Sequence, residues 1–118
     1  MRQILNVVSD RGSKYAVSGG PVAGRADCAD FLAELKREKK FAKATHNSWA
    51  CLLADGTALK DDDGESGAGV LILKMLERAG LRDTIVVVTR WYGGVHLGGD
   101  RFAHIVTCTR RFLAEAPR

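Results

Sequence analysis

Apolar residues in this chain fall alternately into short runs and helical stripes, and each change of period marks an element. Residues 13–18 (SKYAVS) alternate weakly and close on Gly19, Gly20 and Pro21, which reads as a strand ending in a turn. Over 27–40, Cys28, Phe31, Leu32 and Leu35 recur three and four apart, with Asp27 and Asp30 early and basic residues late, as a helix dipole favours. Residues 48–54 form a second strand, and Asp55-Gly56 turns it into a short third strand at 57–59. A second helix runs from Ser66 or Gly67 to Ala79 and stops at Gly80; its crowded apolar side makes it the most buried of the helices. Ile85, Val86, Val87, Val88 and Thr89 are all β-branched and suit a central strand covered on both faces. Asp100 then caps a third helix whose stripe is Phe102, Ile105, Val106, Phe112 and Leu113, ending at Ala116-Pro117.

This βαββαβα order predicts an α/β (α+β) two-layer sandwich, an about four-stranded mixed sheet with three helices on one face. A chain of 118 residues buries roughly two-thirds of its unfolded surface, so one domain over 1–118 is expected. The apolar patch before Ser9 and Asp10 is too short for a signal peptide, and no run approaches a membrane span, so a cytoplasmic location is expected. Cys28, Cys51 and Cys108 are widely spaced without a CxxC pair and read as reduced core thiols, not as a disulfide framework or a zinc site.

The net charge of +4 is unevenly spread: Lys36, Arg37, Lys39, Lys40 and Lys43 crowd around Glu38, and Arg110, Arg111 and Arg118 cluster near the end. One reading is a solvated helix terminus; the other is an electrostatic footprint for RNA or the ribosome.

Three segments carry candidate chemistry. Arg90, Trp91 and Tyr92 close the central strand, an expensive place for a guanidinium and two large rings unless something holds or uses them. Thr45, His46 and Asn47 open the second strand, either as a hydrogen-bonded turn or as ligand contacts. Asp61, Asp62, Asp63 and Glu65 precede the second helix, where several adjacent carboxylates repel unless neutralised. Internal pairing, for example with Arg90 or Arg101, is favoured; Glu65 can also cap the helix, and magnesium held by one or two carboxylates is the alternative. Gly93, Gly94, Gly98 and Gly99 lack phosphate-loop spacing, and Asp100 as N-cap would repel an anion, so close backbone packing is favoured over anion binding. Arg101, His104, Cys108 and Arg111 share a helix face that reads as solvent-facing or as a partner surface. No GxSxG occurs, Cys51 is mid-strand, and His46, His96 and His104 have no acid at a local spacing. Neither catalysis nor a cofactor or metal is expected.

ATHNSWA, DDDGESGAG and VVVTRWYGGVHLG, in this order and spacing, resemble the IMPACT family domain from Asp10 to Glu115. The stretch GGDRFAHIVTCTRRFL resembles the eukaryotic branch more than the bacterial two-domain members. The resemblance implies a sheet-and-helix fold like the second domain of a small-subunit ribosomal protein, and a role in translation and stress control. It further implies binding to the ribosome-associated activator of the amino-acid-starvation kinase, with actin as another partner. The expected recognition surface is Thr45, His46, Asn47, Asp62, Asp63, Glu65, Arg90, Trp91, Tyr92, Gly93, Gly94, Asp100 and Arg101, brought together at one sheet edge.

Overall fold

The structure, a computed structural model, describes residues 1–115. In chain order these form β1 (Arg2–Asp10), β2 (Ser13–Pro21), α1 (Arg25–Leu35), α2 (Lys39–Ala42), β3 (His46–Leu52), β4 (Ala58–Asp61), α3 (Ala68–Ala79), β5 (Thr84–Trp91) and α4 (Asp100–Ala114). The helix stop expected at Ala116-Pro117, and Arg118 of the second basic cluster, lie outside the described residues. Among the described residues no helix is long and apolar enough to cross a membrane.

The α+β class is the observed one, with differences in detail. The sheet has five strands in the order β1-β2-β5-β3-β4, and every pairing is antiparallel rather than mixed. β5 is central, as its β-branched run predicts. The unanticipated strand is β1: Asn6 sits at φ 52 and the register shifts between Ile4 and Val8, so the period of two breaks mid-strand. Pairing with β2 then holds a segment whose own pattern is weak.

Helices cover both faces of the sheet, two on each, rather than three on one. On one face Val17, Ala50, Leu52, Val86 and Val88 pack against Ile72 and Leu76 of α3 and Ile105 and Phe112 of α4. On the other, Ala16, Cys51, Ile85 and Val87 pack against Cys28, Phe31 and Leu35 of α1 and Phe41 of α2. Strand residues of consecutive number thus belong to different cores, as the pleat requires. The helix expected over 27–40 divides in two, with Phe41 carrying α2 onto the sheet at 0% exposure. All three cysteines are buried and free, and burial pushes the Cys51 and Cys108 thiols up to about 12.

Candidate functional site

The acidic loop is stabilised largely by backbone amides. Gly67 N–H donates to Asp62 Oδ2 at 3.1 Å and Gly69 N–H to Asp62 Oδ1 at 2.7 Å, so Asp62, not Glu65, caps α3. Those two amides, Gly69 first, hold the Asp62 carboxyl below its ordinary value. Glycine is needed at 69, since a Cβ there would stand 2.9 Å from Asp62 Oδ1. Asn47 N–H donates to Asp63 Oδ2 at 2.7 Å, and Ser48 Oγ donates to the Asp62 carbonyl at 2.8 Å. The loop is thereby fastened to the start of β3, and its carboxylates face donors rather than one another.

Glu65 is the exception: it turns inward and is only 3% exposed. Arg90 Nη1 lies 3.2 Å from each of its oxygens, Arg101 Nη1 lies 3.1 Å from Oε1, and His46 Nε2 lies 3.6 Å from Oε2. Both arginines named from sequence pair with the loop, through one carboxylate. Arg90 is 6% exposed, and it stands in a cross-strand row with Tyr15 on β2 and His46 on β3. Its guanidinium carbon is 5.7 Å from the Tyr15 ring centre and 5.6 Å from that of Tyr92. Nη2 reaches Ser13 Oγ only at 3.5 Å, and Nε is buried without a partner among the described residues. His46 is fixed by its Nδ1, 2.8 Å from the Asp63 carbonyl.

Above this ion cluster opens a cleft of about 410 Å³, lined by His46, Glu65, Arg90, Tyr92, His96 and Arg101 together with Gly64, Leu97 and Gly98. Tyr92 on its wall and Val95 in the loop after β5 are exposed, and exposed Phe102 lies under the Arg101 guanidinium at 4.5 Å. His96 and Leu97 were not anticipated as site residues. They gain their place through the loop between β5 and α4, which has no periodicity to read.

Other expected members play different parts. Trp91 points away from the cleft, to the opposite face of the sheet: its Nε1 donates to the Lys40 carbonyl at 2.8 Å and its ring meets Phe41 edge-on. Asn47 is buried, accepting from Thr89 Oγ1 and donating to the Phe41 carbonyl, and so belongs to the scaffold. Thr45 Oγ1 accepts from Tyr92 N–H at 2.9 Å and positions that ring's backbone. Gly93 serves close packing, as favoured from sequence, since a Cβ there would fall 2.0 Å from the Gly12 carbonyl carbon. Gly94 adopts φ 90 in the exposed turn. Lys36, Arg37, Lys39, Lys40 and Lys43 are all exposed on the Trp91 side, and none forms a salt bridge among the described residues.

Asp100 is not the N-cap of α4. Gly99 holds that position without a side-chain bond, because the Asp100 carboxylate is drawn to Arg11 at 2.5 Å. Arg11 also pairs with Asp10, and His104 Nε2 is 2.7 Å from Asp10 Oδ2; these contacts, Arg11 foremost, lower the Asp10 carboxyl to about 2. The α4 face of Arg101, His104, Cys108 and Arg111 is solvent-facing only in part: Arg111 is exposed, whereas Cys108 is fully buried and His104 packs against Tyr15. His104 does have an acid, contributed from 94 residues away.

His46, the acidic loop and Arg90 thus meet at the Glu65 carboxylate. The Impact N-terminal domain family matches residues 11–113. The chain belongs to this family. Protein IMPACT of Bos taurus is 43% identical over 113 residues, 92% of this chain and 36% of that protein. Protein IMPACT of Homo sapiens is 40% identical over 113 residues, 92% of this chain and 35% of that protein. The chain thus spans about a third of the length of these relatives. Among solved structures, the two-domain translational regulator Yih1 is 37% identical, with a TM-score of 0.57 over 91% of this chain and 43% of that one. A crystal structure of a hypothetical protein shares the fold at TM-score 0.81 and 21% identity, covering 96% of this chain and 56% of the other.

Proposed function

We propose that this Impact N-terminal domain is a non-enzymatic interaction module of a translational regulator, and that the Glu65 cleft with Tyr92, Val95 and Phe102 is its recognition surface. The partner proposed is the ribosome-associated activator of the amino-acid-starvation kinase, acting in the cytoplasm. One observation carries the reading. A buried charge cluster fixes the cleft wall, which exposed Tyr92 and half-buried Arg101 also line, and aromatic and arginine side chains are the types that dominate protein-binding hot spots. Belonging to a family that includes the translational regulator Yih1 supports the same direction.

Arg90 is a poor probe, because its loss would strand a buried carboxylate. Tyr92→Ala and Arg101→Gln alter exposed or half-buried groups and leave the Arg90 to Glu65 pair in place. Calorimetry against the activator's binding segment should show each variant at least about tenfold weaker, a loss of about 1.4 kcal/mol. Both variants folded and binding at full affinity would defeat the proposal.

A second reading is favoured by the five cations at 36–43, which form no salt bridge among the described residues and of which Lys40 Nζ stands 5.6 Å from the Trp91 ring centre. Basic groups around an aromatic can bind RNA by charge and stacking. Titration with single-stranded and duplex RNA at two salt concentrations tests it, since phosphate contacts require affinity to fall as salt rises.

A further inference from the structure

We propose that the surface around the Glu65 cleft takes a basic segment of a partner protein, one that carries lysine or arginine beside apolar side chains. This rests on the reading of the cleft as a recognition surface and names the chemistry of what it recognises. Tyr92 on the cleft wall is 42% exposed, and Phe102, beneath the Arg101 guanidinium that also lines the cleft, is 37% exposed. Rings left open in this way offer contact area to an incoming apolar side chain. They do not select the charge that comes with it.

The carboxylates make that selection. Asp62 and Glu65 engage both of their oxygens inside the protein. Asp63, adjacent in the chain to Gly64 of the cleft wall, uses Oδ2 on Asn47 N–H, and Asp100, adjacent to Arg101, uses Oδ2 on Arg11. Both residues are exposed, and Oδ1 of each has no hydrogen-bond partner among the described residues. Free carboxylate oxygens therefore stand on the acidic loop and at the start of α4, the two segments that flank the cleft. Arg11 does not neutralise Asp100 alone, because it also holds Asp10. The acidic loop, the two arginines paired with it and the Asp10, Arg11 and Asp100 group together hold six carboxylates against the four cations Arg11, Lys60, Arg90 and Arg101. With the histidines neutral, this region carries a negative surplus in a chain whose net charge is +4. A basic segment is attracted here and repelled by the exposed cations at 36–43, whereas an acidic segment meets the opposite field at each place.

Three capped peptides test the assignment. They share two leucines and a tryptophan and differ elsewhere, with lysine and arginine in the first, glutamine in the second and glutamate in the third. Titrated at low salt into the isotope-labelled chain and followed by NMR, the basic peptide should shift the Gly64, Tyr92, Gly98 and Arg101 amides. It should bind about fivefold tighter than the glutamine peptide, the scale of two exposed ion pairs, and the glutamate peptide should bind most weakly. Asp63→Asn combined with Asp100→Asn removes two charges and keeps the acceptors for Asn47 N–H and Arg11, and asparagine tolerates the left-handed φ 47 at position 63. The double variant should stay folded and retain at most about a twofold preference for the basic peptide. The proposal is overturned by equal binding of the three peptides, by a preference for glutamate, by shifts confined to other residues, or by an undiminished preference in the folded double variant. Shifts at the same amides on raising the concentration of the chain alone would assign the surface to residues 36–43 of a second copy, and would overturn it too. If the peptides bind alike while Tyr92→Ala still weakens the activator complex, the charge assignment falls and the recognition surface stands. Selective binding of the basic peptide at the cleft with an activator complex unaffected by Tyr92→Ala keeps the charge assignment and removes the activator as the partner.

Discussion

Arg90 and Trp91 are consecutive on one strand and live in opposite worlds. The pleat sends the arginine to the α3 and α4 face, where it is buried against Glu65, and the tryptophan to the α1 and α2 face, where it is half-buried beneath Lys40. On the first face charges lie inside and apolar rings outside; on the second an apolar core lies beneath a layer of exposed cations. A buried pair fixes geometry because neither partner can be moved cheaply, whereas exposed lysines keep their freedom and act through the field they create. The two faces are therefore suited to different work: the cleft to shape-specific recognition, the basic face to salt-sensitive attraction.

The comparison can be broken most severely at Arg90. Arg90→Ala leaves Glu65 buried with only Arg101 and His46 near it, and should cost about 3–5 kcal/mol in urea unfolding. Replacing both partners, Arg90→Met with Glu65→Leu, removes the stranded charge and should cost distinctly less than Arg90→Ala alone. Equal losses in the single and double variants would mean that Arg90 acts through packing alone, and that the inside charges do not set the wall of the cleft.

Trp91→Ala is the matching change on the other face. The ring is half-exposed and gives up one hydrogen bond and an edge contact with Phe41, so a loss of about 2 kcal/mol is expected, below the range for a fully buried Trp. Binding at the cleft should be untouched, and any RNA binding should lose its stacking contribution. A Trp91→Ala protein that is stable yet fails to bind the activator would join the two faces into one surface and undo the distinction.

How far the sequence disclosed this arrangement follows from the range of each interaction. The β-branched run of β5, the Asp55-Gly56 turn and the Gly80 stop, observed at φ 66, are local signals and were legible. Pairing of the acidic loop with Arg90 and Arg101 was legible from charge alone, since adjacent carboxylates need relief. What stayed hidden was direction. Trp91 beside Arg90 looked like a neighbour in one patch, although alternation along a strand separates them by the thickness of the sheet. Asp100 looked like an N-cap because Arg11, its partner 89 residues away, leaves no trace near it in sequence. β1 was hidden by its bulge, and the second helical layer by the absence of any local mark of which face a helix covers.

The smallest expected effect concerns how the acidic loop is held against the cleft. Asp62 stabilises the α3 terminus by accepting from two amides, so Asp62→Ala should cost about 1 kcal/mol near neutral pH, the usual scale for a lost cap. Because those amides hold its carboxyl below the ordinary 3.8, the contribution is complete above that pH and disappears as pH falls through the folded-state value. The urea midpoints of wild type and Asp62→Ala should therefore stand apart near neutrality and converge on acidification below pH 3.8. Carboxylates common to both proteins cancel in this difference, which isolates the cap from the Glu65 cluster. Asp62→Asn keeps an oxygen acceptor without the charge, and should fall between the two near neutrality, with a gap to Asp62→Ala that does not change with pH. A gap between wild type and Asp62→Ala that widened in acid would assign the loop's stability to charge repulsion instead, and would place acidic strain on the cleft side of the sheet where the structure shows donors.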